Sequence, residues 1–391
     1  MSRLRPIRRT ASAWLEYAQL PRQARSIYHD DHHGILKNDP GAERAVDAGI
    51  AWLRRAQDCS PNHDGGVARH YSVTTGWGAS YPETSGYIIP TLLDAGLSGR
   101  SRDAIIRALR IADWLKSIQF PDGAFPGGTI GQTRVPVTFN TGQILIGFAA
   151  AASCAAYFRE SMKKAADWLV ETQDPDGCWR DHPTPLAMGG EKTYETHVAL
   201  GLFEAAKIEP NRGYKEAGLR QVDWALGNQR ANGWLDQCCL DDSTRPLTHT
   251  LGYALRGIVA AYEASGNPRY LDAATRTADA IMMSSRPDGG LAGRFDSAWR
   301  PMVTWVCLTG LSQFAECWLR LFRITGRADY RDAGRRANSY VRRTMIIDGP
   351  PDLSGGVKGS QPIDGEYGRW QYLNWACKFT IDANRLELDL G

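Results

Sequence analysis

Two kinds of hydrophobic pattern alternate along the chain. In the first, apolar and small residues continue almost unbroken, as in residues 142–150 and 197–206. A helix that is apolar on nearly every side is buried on every side, so these segments predict inner helices. In the second, an amphipathic segment ends in a Trp followed five residues later by a Gln, which predicts outer helices. These pairs are Trp52 and Gln57, Trp114 and Gln119, Trp168 and Gln173, and Trp224 and Gln229.

A tight turn built on glycine recurs at a nearly constant spacing. The residue before the first Gly of one turn is 54 to 66 residues from its counterpart in the next turn. A period near 56 fits two helices and a substantial loop in each repeat. The turns are His63-Asp64-Gly65-Gly66, Pro121-Asp122-Gly123, Pro175-Asp176-Gly177, Ala231-Asn232-Gly233, Pro287-Asp288-Gly289-Gly290 and Leu353-Ser354-Gly355-Gly356.

The alternation of outer and inner helices predicts the fold. We find no strand-like alternation, so the chain is predicted to be all-α. Six hairpins suffice to close a ring, and we predict an (α/α)6 toroid of six helical hairpins around a central cavity. We expect residues 41–391 to form this single domain and residues 1–40 to form a basic helical arm.

One repeat also resembles a known motif. The segment Gln173-Asp174-Pro175-Asp176-Gly177-Cys178-Trp179 is similar to the Gln-to-Trp repeat of triterpene cyclases, and residues 119–125 are a near copy with Phe as the aromatic residue. More broadly, residues 45–385 resemble the α/α-toroid superfamily, which includes terpenoid cyclases, protein prenyltransferase β subunits, polysaccharide lyases, uronate epimerases and glycosidases. This resemblance implies the fold but not the activity, because the toroid hosts unrelated chemistries.

Composition and charge exclude several other classes of protein. The chain is 43% hydrophobic and 23% charged, which is ordinary for a globular protein with a large core. Its net charge is +3, and residues 1–25 alone carry six arginines against one glutamate, so no basic face remains for nucleic acid. The absence of a signal-peptide pattern and of CxxC pairs among the eight cysteines favours reduced thiols and a cytoplasmic location.

The N-terminal arm has two interpretations. Around Trp14, Leu15, Tyr17 and Leu20 it has the pattern of a short amphipathic helix. Such a helix either packs against the toroid or makes a peripheral contact with a membrane or a partner protein. We favour packing against the toroid.

Polar residues recur at the predicted starts of the inner helices. A Thr opens each of five of these helices, at Thr84, Thr141, Thr196, Thr250 and Thr309. The residues just before these threonines are Glu83, Asn140, Glu195, His249 and Leu308, and the sixth repeat offers Leu373. Helix capping accounts for Asn but not for Glu or His at this position. We therefore predict that four of these side chains, together with Tyr194, are catalytic residues that converge on one cavity: Glu83, Asn140, Glu195 and His249.

The loops before the inner helices are long and rich in aromatic residues. Aromatic faces beside arginines and carboxylates suit sugar rings, whose CH faces stack while their hydroxyls form hydrogen bonds. The predicted substrate-binding residues are Arg69, Trp77, Tyr81, Tyr87, Arg134, Trp179, His197, Trp234, Tyr253, Asp296, Arg300, Trp305, Glu366, Tyr367 and Trp370.

These residues predict a carbohydrate-active enzyme acting on an oligo- or polysaccharide, with an acidic glycan favoured. Glu83 and Glu195 are candidates for the acid and base of a glycosidase. Alternatively, Asn140 and an Arg would neutralise a uronate while an imidazole or a phenol moves a proton, giving β-elimination or C5 epimerisation. The candidate proton carriers are His249, His197, Tyr194 and Tyr253. We expect Glu83→Gln and Glu195→Gln each to abolish turnover and to change stability by less than about 1 kcal/mol.

Two other functions stay open from the sequence. Isoprenoid chemistry is suggested by the cyclase-like repeat, but the nearest acidic run, Asp241-Asp242, is not the aspartate-rich motif of those cyclases. A zinc site of Asp236, Cys238, Cys239 and His249 is less favoured than buried structural cysteines, and we predict neither metal nor cofactor. The other alternative is a non-catalytic scaffold that binds glycans.

Overall fold

The computed structural model describes residues 17–187 and 189–391. Helix α1 (Arg22–His33) belongs to the N-terminal arm. The outer helices of the ring are α2 (Ala42–Asp58), α4 (Ala104–Ile118), α6 (Arg159–Glu171), α8 (Tyr214–Gly227), α10 (Pro268–Met282) and α12 (Ala328–Arg342). The inner helices are α3 (Pro82–Leu97), α5 (Thr138–Cys154), α7 (Thr196–Ile208), α9 (Thr248–Ser265), α11 (Leu308–Thr325) and α13 (Asn374–Asp389). Short 3-10 turns, Ala156–Phe158 and Thr193–Glu195, precede α6 and α7.

The inner helices close a ring. Each contacts the next one along the chain, and α13 contacts both α3 and the first outer helix, α2. Each inner helix from α3 to α11 also packs against the outer helix that follows it. The predicted toroid of six helical hairpins is therefore confirmed.

The predicted glycine turns join neighbouring repeats. The first glycine of each turn has a positive φ, a backbone conformation that side chains disfavour. A Cβ at Gly123 would also overlap the carbonyl of Lys164 in the next outer helix. At Gly355 it would overlap the carbonyl of Ala48 in α2, which ties the sixth repeat to the first. The turns recur because each outer helix is approached closely by the turn of the preceding repeat.

The glutamine of the repeat motif has a structural role. The Gln119 amide donates hydrogen bonds of 3.0 Å to the carbonyls of Gly123 and Ser161, which lie in its own turn and in the next outer helix. Gln173 makes the equivalent bonds to Gly177 and Ala217. The cyclase-like motif therefore holds one repeat to the next and carries no information about the reaction.

Short strands occur in the loops of this all-α fold, and the sequence analysis did not predict them. They are β1 (His70–Ser72), β2 (Gly76–Trp77), β3 (Val306–Cys307), β4 (Ser360–Gln361) and β5 (Gln371–Leu373). One antiparallel sheet has the order β2-β1-β5, with Tyr71 opposite both Trp77 and Tyr372, and the other pairs β3 with β4. Strands of two or three residues are too short to show an alternating pattern. They link the loop of the last repeat to the loops of the first and fifth.

The described part of the N-terminal arm packs against the sixth repeat. Ala24 and Ile27 of α1 are buried, and Asp31 forms an ion pair with Lys358 and accepts a hydrogen bond of 2.8 Å from the backbone nitrogen of Ile363. The arginines at positions 3, 5, 8 and 9 lie outside the described residues, as do positions 14 and 15 of the predicted amphipathic segment.

The eight cysteines are free thiols, and Cys59 and Cys154 are exposed. Among residues 17–187 and 189–391, no helix has the length and apolar character needed to cross a membrane.

Candidate active site

The N-terminal ends of the inner helices α3, α5, α9 and α13, with the loops between repeats, surround a cavity of about 260 Å³, here called the upper cavity. Helices α3 and α9 meet at its wall, where the hydroxyls of Tyr87 and Tyr253 are 3.2 Å apart. The lining residues are Arg69, Tyr81, Glu83, Thr84, Tyr87, Phe139, Thr184, Leu186, Tyr194, Leu240, His249, Thr250, Tyr253, Tyr367 and Trp375.

Glu83 is the carboxylic acid of this cavity. Its side chain is 8% exposed, and the Tyr81 hydroxyl donates a hydrogen bond of 2.5 Å to Oε2. Burial raises the pKa of Glu83 to about 7, although the hydrogen bond from Tyr81 and the positive charge of Arg69 act in the opposite direction. Near neutral pH Glu83 is therefore poised to give or take a proton.

His249 is the imidazole of this cavity. It is 6% exposed, and its Nδ1 lies 2.9 Å from Oε1 of Gln313 in α11. Burial lowers the pKa of His249 to about 4, while the hydrogen bond to Gln313 works against that shift. His249 is therefore neutral at pH 7 and has a nitrogen lone pair available as a base.

Aromatic rings form much of the remaining wall. The ring of Tyr253 lies 4.3 Å from that of His249 and 5.2 Å from that of Phe139. The hydroxyl of Tyr367 accepts a hydrogen bond of 2.8 Å from Nε1 of Trp375. The Tyr194 hydroxyl is buried without a hydrogen-bond partner among the described residues. Apolar faces that carry polar edges, as these do, suit a sugar ring.

Arg69 is a cation that makes no ion pair with a carboxylate among the described residues, although its charge acts on Glu83. Its guanidinium lies 5.1 Å from the ring of Trp375 and 5.8 Å from that of Tyr81, and the described residues offer it no ion pair. Its polar contact is with Nδ1 of His70 at 3.4 Å. The guanidinium is therefore available to an anionic group that enters the upper cavity.

The structure brings part of the predicted site together. Three predicted catalytic residues line the upper cavity: Glu83, Tyr194 and His249. Five predicted binding residues join them: Arg69, Tyr81, Tyr87, Tyr253 and Tyr367. More than 160 residues of sequence separate Glu83 from His249, so the ring brings distant positions into one space.

The other predicted site residues do not line the upper cavity. They are Asn140, Glu195, Trp77, Arg134, Trp179, His197, Trp234, Asp296, Arg300, Trp305, Glu366 and Trp370.

Several of the predicted aromatic residues pack inside the loops instead. Nε1 of Trp179 donates to the Leu169 carbonyl of α6, and Trp234 packs against Trp299 with ring centroids 5.1 Å apart. Trp179 and Trp234 come within two residues of a glycine turn, where the chain still lies against the outer helices. Nε1 of Trp77 donates a hydrogen bond to the Asp352 carboxylate. Trp305 packs with Leu247 and Cys307. The ring of Trp370 lies 6.0 Å from that of Tyr28 in the N-terminal arm.

The charged residues that were predicted to bind substrate but lie outside the upper cavity have other contacts. Arg134 donates to the Ile118 carbonyl, and Asp296 pairs with the exposed Arg300 at 2.7 Å. Glu366 pairs with Arg294 at 3.1 Å. These contacts hold the four side chains outside the upper cavity, and a role for them in substrate binding stays a prediction.

Asn140 and Glu195 also have positions outside the cavity. The Asn140 amide is fully buried and donates to the Pro126 carbonyl at 3.3 Å. Glu195 is 6% exposed, and its Oε2 is buried with no hydrogen-bond partner among the described residues. The predicted convergence of four polar side chains is thus reduced to Glu83 and His249.

We expect Glu195→Gln to stabilise the protein at alkaline pH. Burial raises the pKa of Glu195 to about 8 from an ordinary 4.5, although the positive charge of Lys192 lowers it. The folded state keeps this proton where the unfolded chain has lost it, so the free energy of unfolding falls as pH rises from 4.5 to about 8. The variant lacks this loss, and because one pKa unit corresponds to about 1.4 kcal/mol, its gain at pH 9 should be roughly 5 kcal/mol.

Urea unfolding at two pH values checks this expectation. The gain should shrink to about 0.4 kcal/mol at pH 4.5, where the folded state holds the proton and about half of the unfolded chains do. An equal effect of the substitution at both pH values would contradict it. The change expected at pH 9 is larger than the roughly 1 kcal/mol expected from the sequence alone, so the same measurement distinguishes the two expectations.

Sequence reasoning missed several lining residues. Trp375 is the second residue of α13, two positions after Leu373, where the repeat alignment ended. Thr84 and Thr250 served as alignment markers, and Phe139 was noted as a loop aromatic residue, yet none was predicted to bind. Thr184, Leu186 and Leu240 belong to loops of irregular length, and no repeat pattern marks them.

A second, lower cavity of about 270 Å³ is lined by residues of the inner helices, most of them further from the helix starts than those of the upper cavity. His197 lines this cavity, with Arg256, Glu316 and Lys378 among its neighbours. The ring of His197 is 4.5 Å from that of Tyr253, which lines the upper cavity. The sequence prediction placed His197 in the substrate site, but its side chain lines this lower cavity and not the upper one.

No protein-family model and no curated protein sequence matches the chain. Solved structures match it over most of its length. The chain has the α/α-toroid fold. An unsaturated glucuronyl hydrolase specific for heparin matches with a TM-score of 0.72 and 13% identity over 89% of this chain and 97% of that one. A D-mannose isomerase matches with a TM-score of 0.71 and 12% identity over 90% and 97%. A cellobiose 2-epimerase from Bacillus thermoamylovorans B4167 matches with a TM-score of 0.67 and 10% identity over 85% and 95%.

Proposed function

We propose that this protein is a carbohydrate-active enzyme that transfers a proton on an acidic sugar of a glycan, by elimination or epimerisation beside a carboxylate. The observation that carries the proposal is the meeting of Glu83, His249 and Arg69 at one cavity. This set contains an acid, a base and a cation that forms no ion pair with the rest of the described chain.

The two pKa shifts suit opposite roles. His249 stays neutral at pH 7 because burial lowers its pKa to about 4, so a lone pair is available to take a proton from carbon. Glu83, whose pKa is raised to about 7, holds a proton on about half of the molecules at neutral pH and gives it to the opposite face or to the leaving oxygen.

Arg69 supports an acidic substrate. Removal of a proton beside a carboxylate places negative charge on the carboxylate oxygens. A guanidinium paired with that group stabilises the charge as it develops, and Arg is suited to two parallel hydrogen bonds. Tyr253, Tyr367 and Trp375 supply aromatic surface for the sugar ring.

The structural neighbours are consistent with a sugar substrate. By their names, the three described above act on a glucuronyl sugar, on mannose and on cellobiose. A polar cavity lined by Arg, Glu and His also does not suit the hydrocarbon cation of an isoprenoid cyclase.

Hydrolysis is the second candidate function, and the hydrolase among the neighbours favours it. Hydrolysis of a glycosidic bond ordinarily uses two carboxyl groups that flank the bond. Among the described residues, Glu83 is the one carboxylic acid that lines the upper cavity. We therefore place proton transfer first.

An assay of products separates these reactions. The protein is incubated with oligosaccharides of hyaluronan, heparin and polygalacturonate, and with neutral dextran, in ordinary and in deuterated water. We expect one acidic substrate to give new absorbance near 230 nm, or deuterium uptake at carbon without cleavage, while dextran gives neither.

Each remaining outcome excludes the proposal in a different way. New reducing ends without 230 nm absorbance would identify a hydrolase. Binding without any chemical change would identify a glycan-binding scaffold. Turnover of dextran alone would exclude the acidic substrate.

A further inference from the structure

Each of two histidines in the toroid is held by a glutamine from a neighbouring inner helix. Nδ1 of His249 is 2.9 Å from Oε1 of Gln313, and Nδ1 of His197 is 2.6 Å from Oε1 of Gln143. Both glutamines are at most 2% exposed. His249 lines the upper cavity and His197 lines the lower one, so one of two similar pairs belongs to the candidate active site.

The glutamine oxygen determines which imidazole nitrogen holds the proton. An amide oxygen only accepts hydrogen bonds, so Nδ1 of His249 carries the hydrogen and Nε2 has the lone pair. An amide does this without adding charge. A carboxylate at the same place would favour the imidazolium instead.

A glycine makes room for this contact. Gly252 lies three residues after His249 in α9, and a Cβ at that position would be 2.8 Å from Oε1 of Gln313. The amide nitrogen of Gln313 has no hydrogen-bond partner among the described residues. The bond to His249 is therefore the polar contact that orients this side chain.

The geometry points to Gln313 as a positioning residue that holds His249 neutral, with Nε2 as the basic atom. This inference rests on the proposed function, because it affects a reaction only if His249 carries the proton. The role differs from that of a catalytic residue, since Gln313 acts through His249.

The test replaces Gln313 with Glu and with Met, and uses Gln143→Glu as the matched control. In the free protein, ¹⁵N NMR follows the tautomer and titration of the His249 imidazole. The pH dependence of kcat/KM is measured on hyaluronan, heparin and polygalacturonate oligosaccharides. The Met variant keeps the test valid if a buried glutamate prevents folding.

We expect Gln313→Glu to move the His249 titration and the acidic limb of the rate profile upward together by at least about one pH unit. Gln313→Met should lower kcat about tenfold or more with little change in KM, and should mix the two tautomers. Gln143→Glu should leave the rate profile unchanged.

Failure of this inference and failure of the proposed function give different results. If the imidazole titration stays the same in a folded Gln313→Glu variant and Gln313→Met keeps a single tautomer, the inference is overturned. If the titration moves while the rate profile does not, His249 has no part in the reaction, and the proposed function is overturned instead.

Discussion

Replacing Glu83 with Gln is expected to lower kcat about 100- to 10,000-fold, the usual contribution of a positioned acid or base. The amide has nearly the same shape and still accepts the hydrogen bond from Tyr81, so the cavity should keep its form. It has no proton to transfer at any pH between 4 and 9. In the unmodified protein, the rate should fall as pH rises through about 7, because Glu83 then loses its proton.

Glu195→Gln is the matched control for this experiment. Glu195 is also a buried glutamate near the start of an inner helix, but it lies outside the upper cavity. We expect this control to retain turnover, so that loss in Glu83→Gln alone identifies the reacting carboxyl group. Circular dichroism and thermal unfolding check that both variants fold. Full activity of Glu83→Gln would exclude the proposed mechanism, and inactivity of Glu195→Gln would return Glu195 to the reaction.

The fold was predictable because its repeats are held by backbone chemistry. Gly123 and Gly355 occupy positions at which a Cβ atom would overlap a backbone carbonyl of the adjoining outer helix. Gln119 donates to two carbonyls that an aliphatic residue would leave without a partner. Requirements of this kind leave few choices of residue, so they appear as a regular pattern in one sequence.

The candidate site was predictable only in part, because alignment of repeats does not fix the direction of a side chain. Glu83 and His249 are each the second residue of their inner helix. Asn140 is the third residue of α5, and Glu195 ends a 3-10 turn before α7 begins. One residue turns a side chain by about 100° around a helix. A shift of this size directs Asn140 and Glu195 away from the cavity although the four positions align in sequence.

Charged and aromatic loop residues were the least predictable class. Arg69 and Arg134 are both arginines in the loop before an inner helix, and the sequence gives no reason to separate them. Arg69 lies half-buried in the cavity over Trp375, whereas Arg134 donates to a backbone carbonyl and lies 4.8 Å from the ring of Phe120. The two side chains differ in position because the loops between the repeats follow different paths, and those paths show no periodic pattern in the sequence.

Arg69→Gln is expected to lower kcat/KM for an acidic oligosaccharide by about 100-fold, since a hydrogen bond between charged groups contributes about 1.5–3 kcal/mol. The same oligosaccharide with its carboxyl groups reduced to alcohols should react slowly with both proteins and show little difference between them. Arg69 makes no ion pair within the described residues, so the free energy of unfolding should change little. Steady-state kinetics on the two substrates measure the effect.

Arg134→Gln separates loss of a specific contact from loss of charge. It removes the same charge from a neighbouring loop, but Arg134 lies outside the cavity. We expect this variant to keep kcat/KM on the acidic substrate. If Arg69→Gln lowered the rate equally on the acidic and the reduced substrate, Arg69 would shape the cavity without recognising the carboxylate. If both arginine variants lost activity equally, the long-range positive field would attract the substrate, and salt would then weaken binding in the unmodified protein by a similar factor.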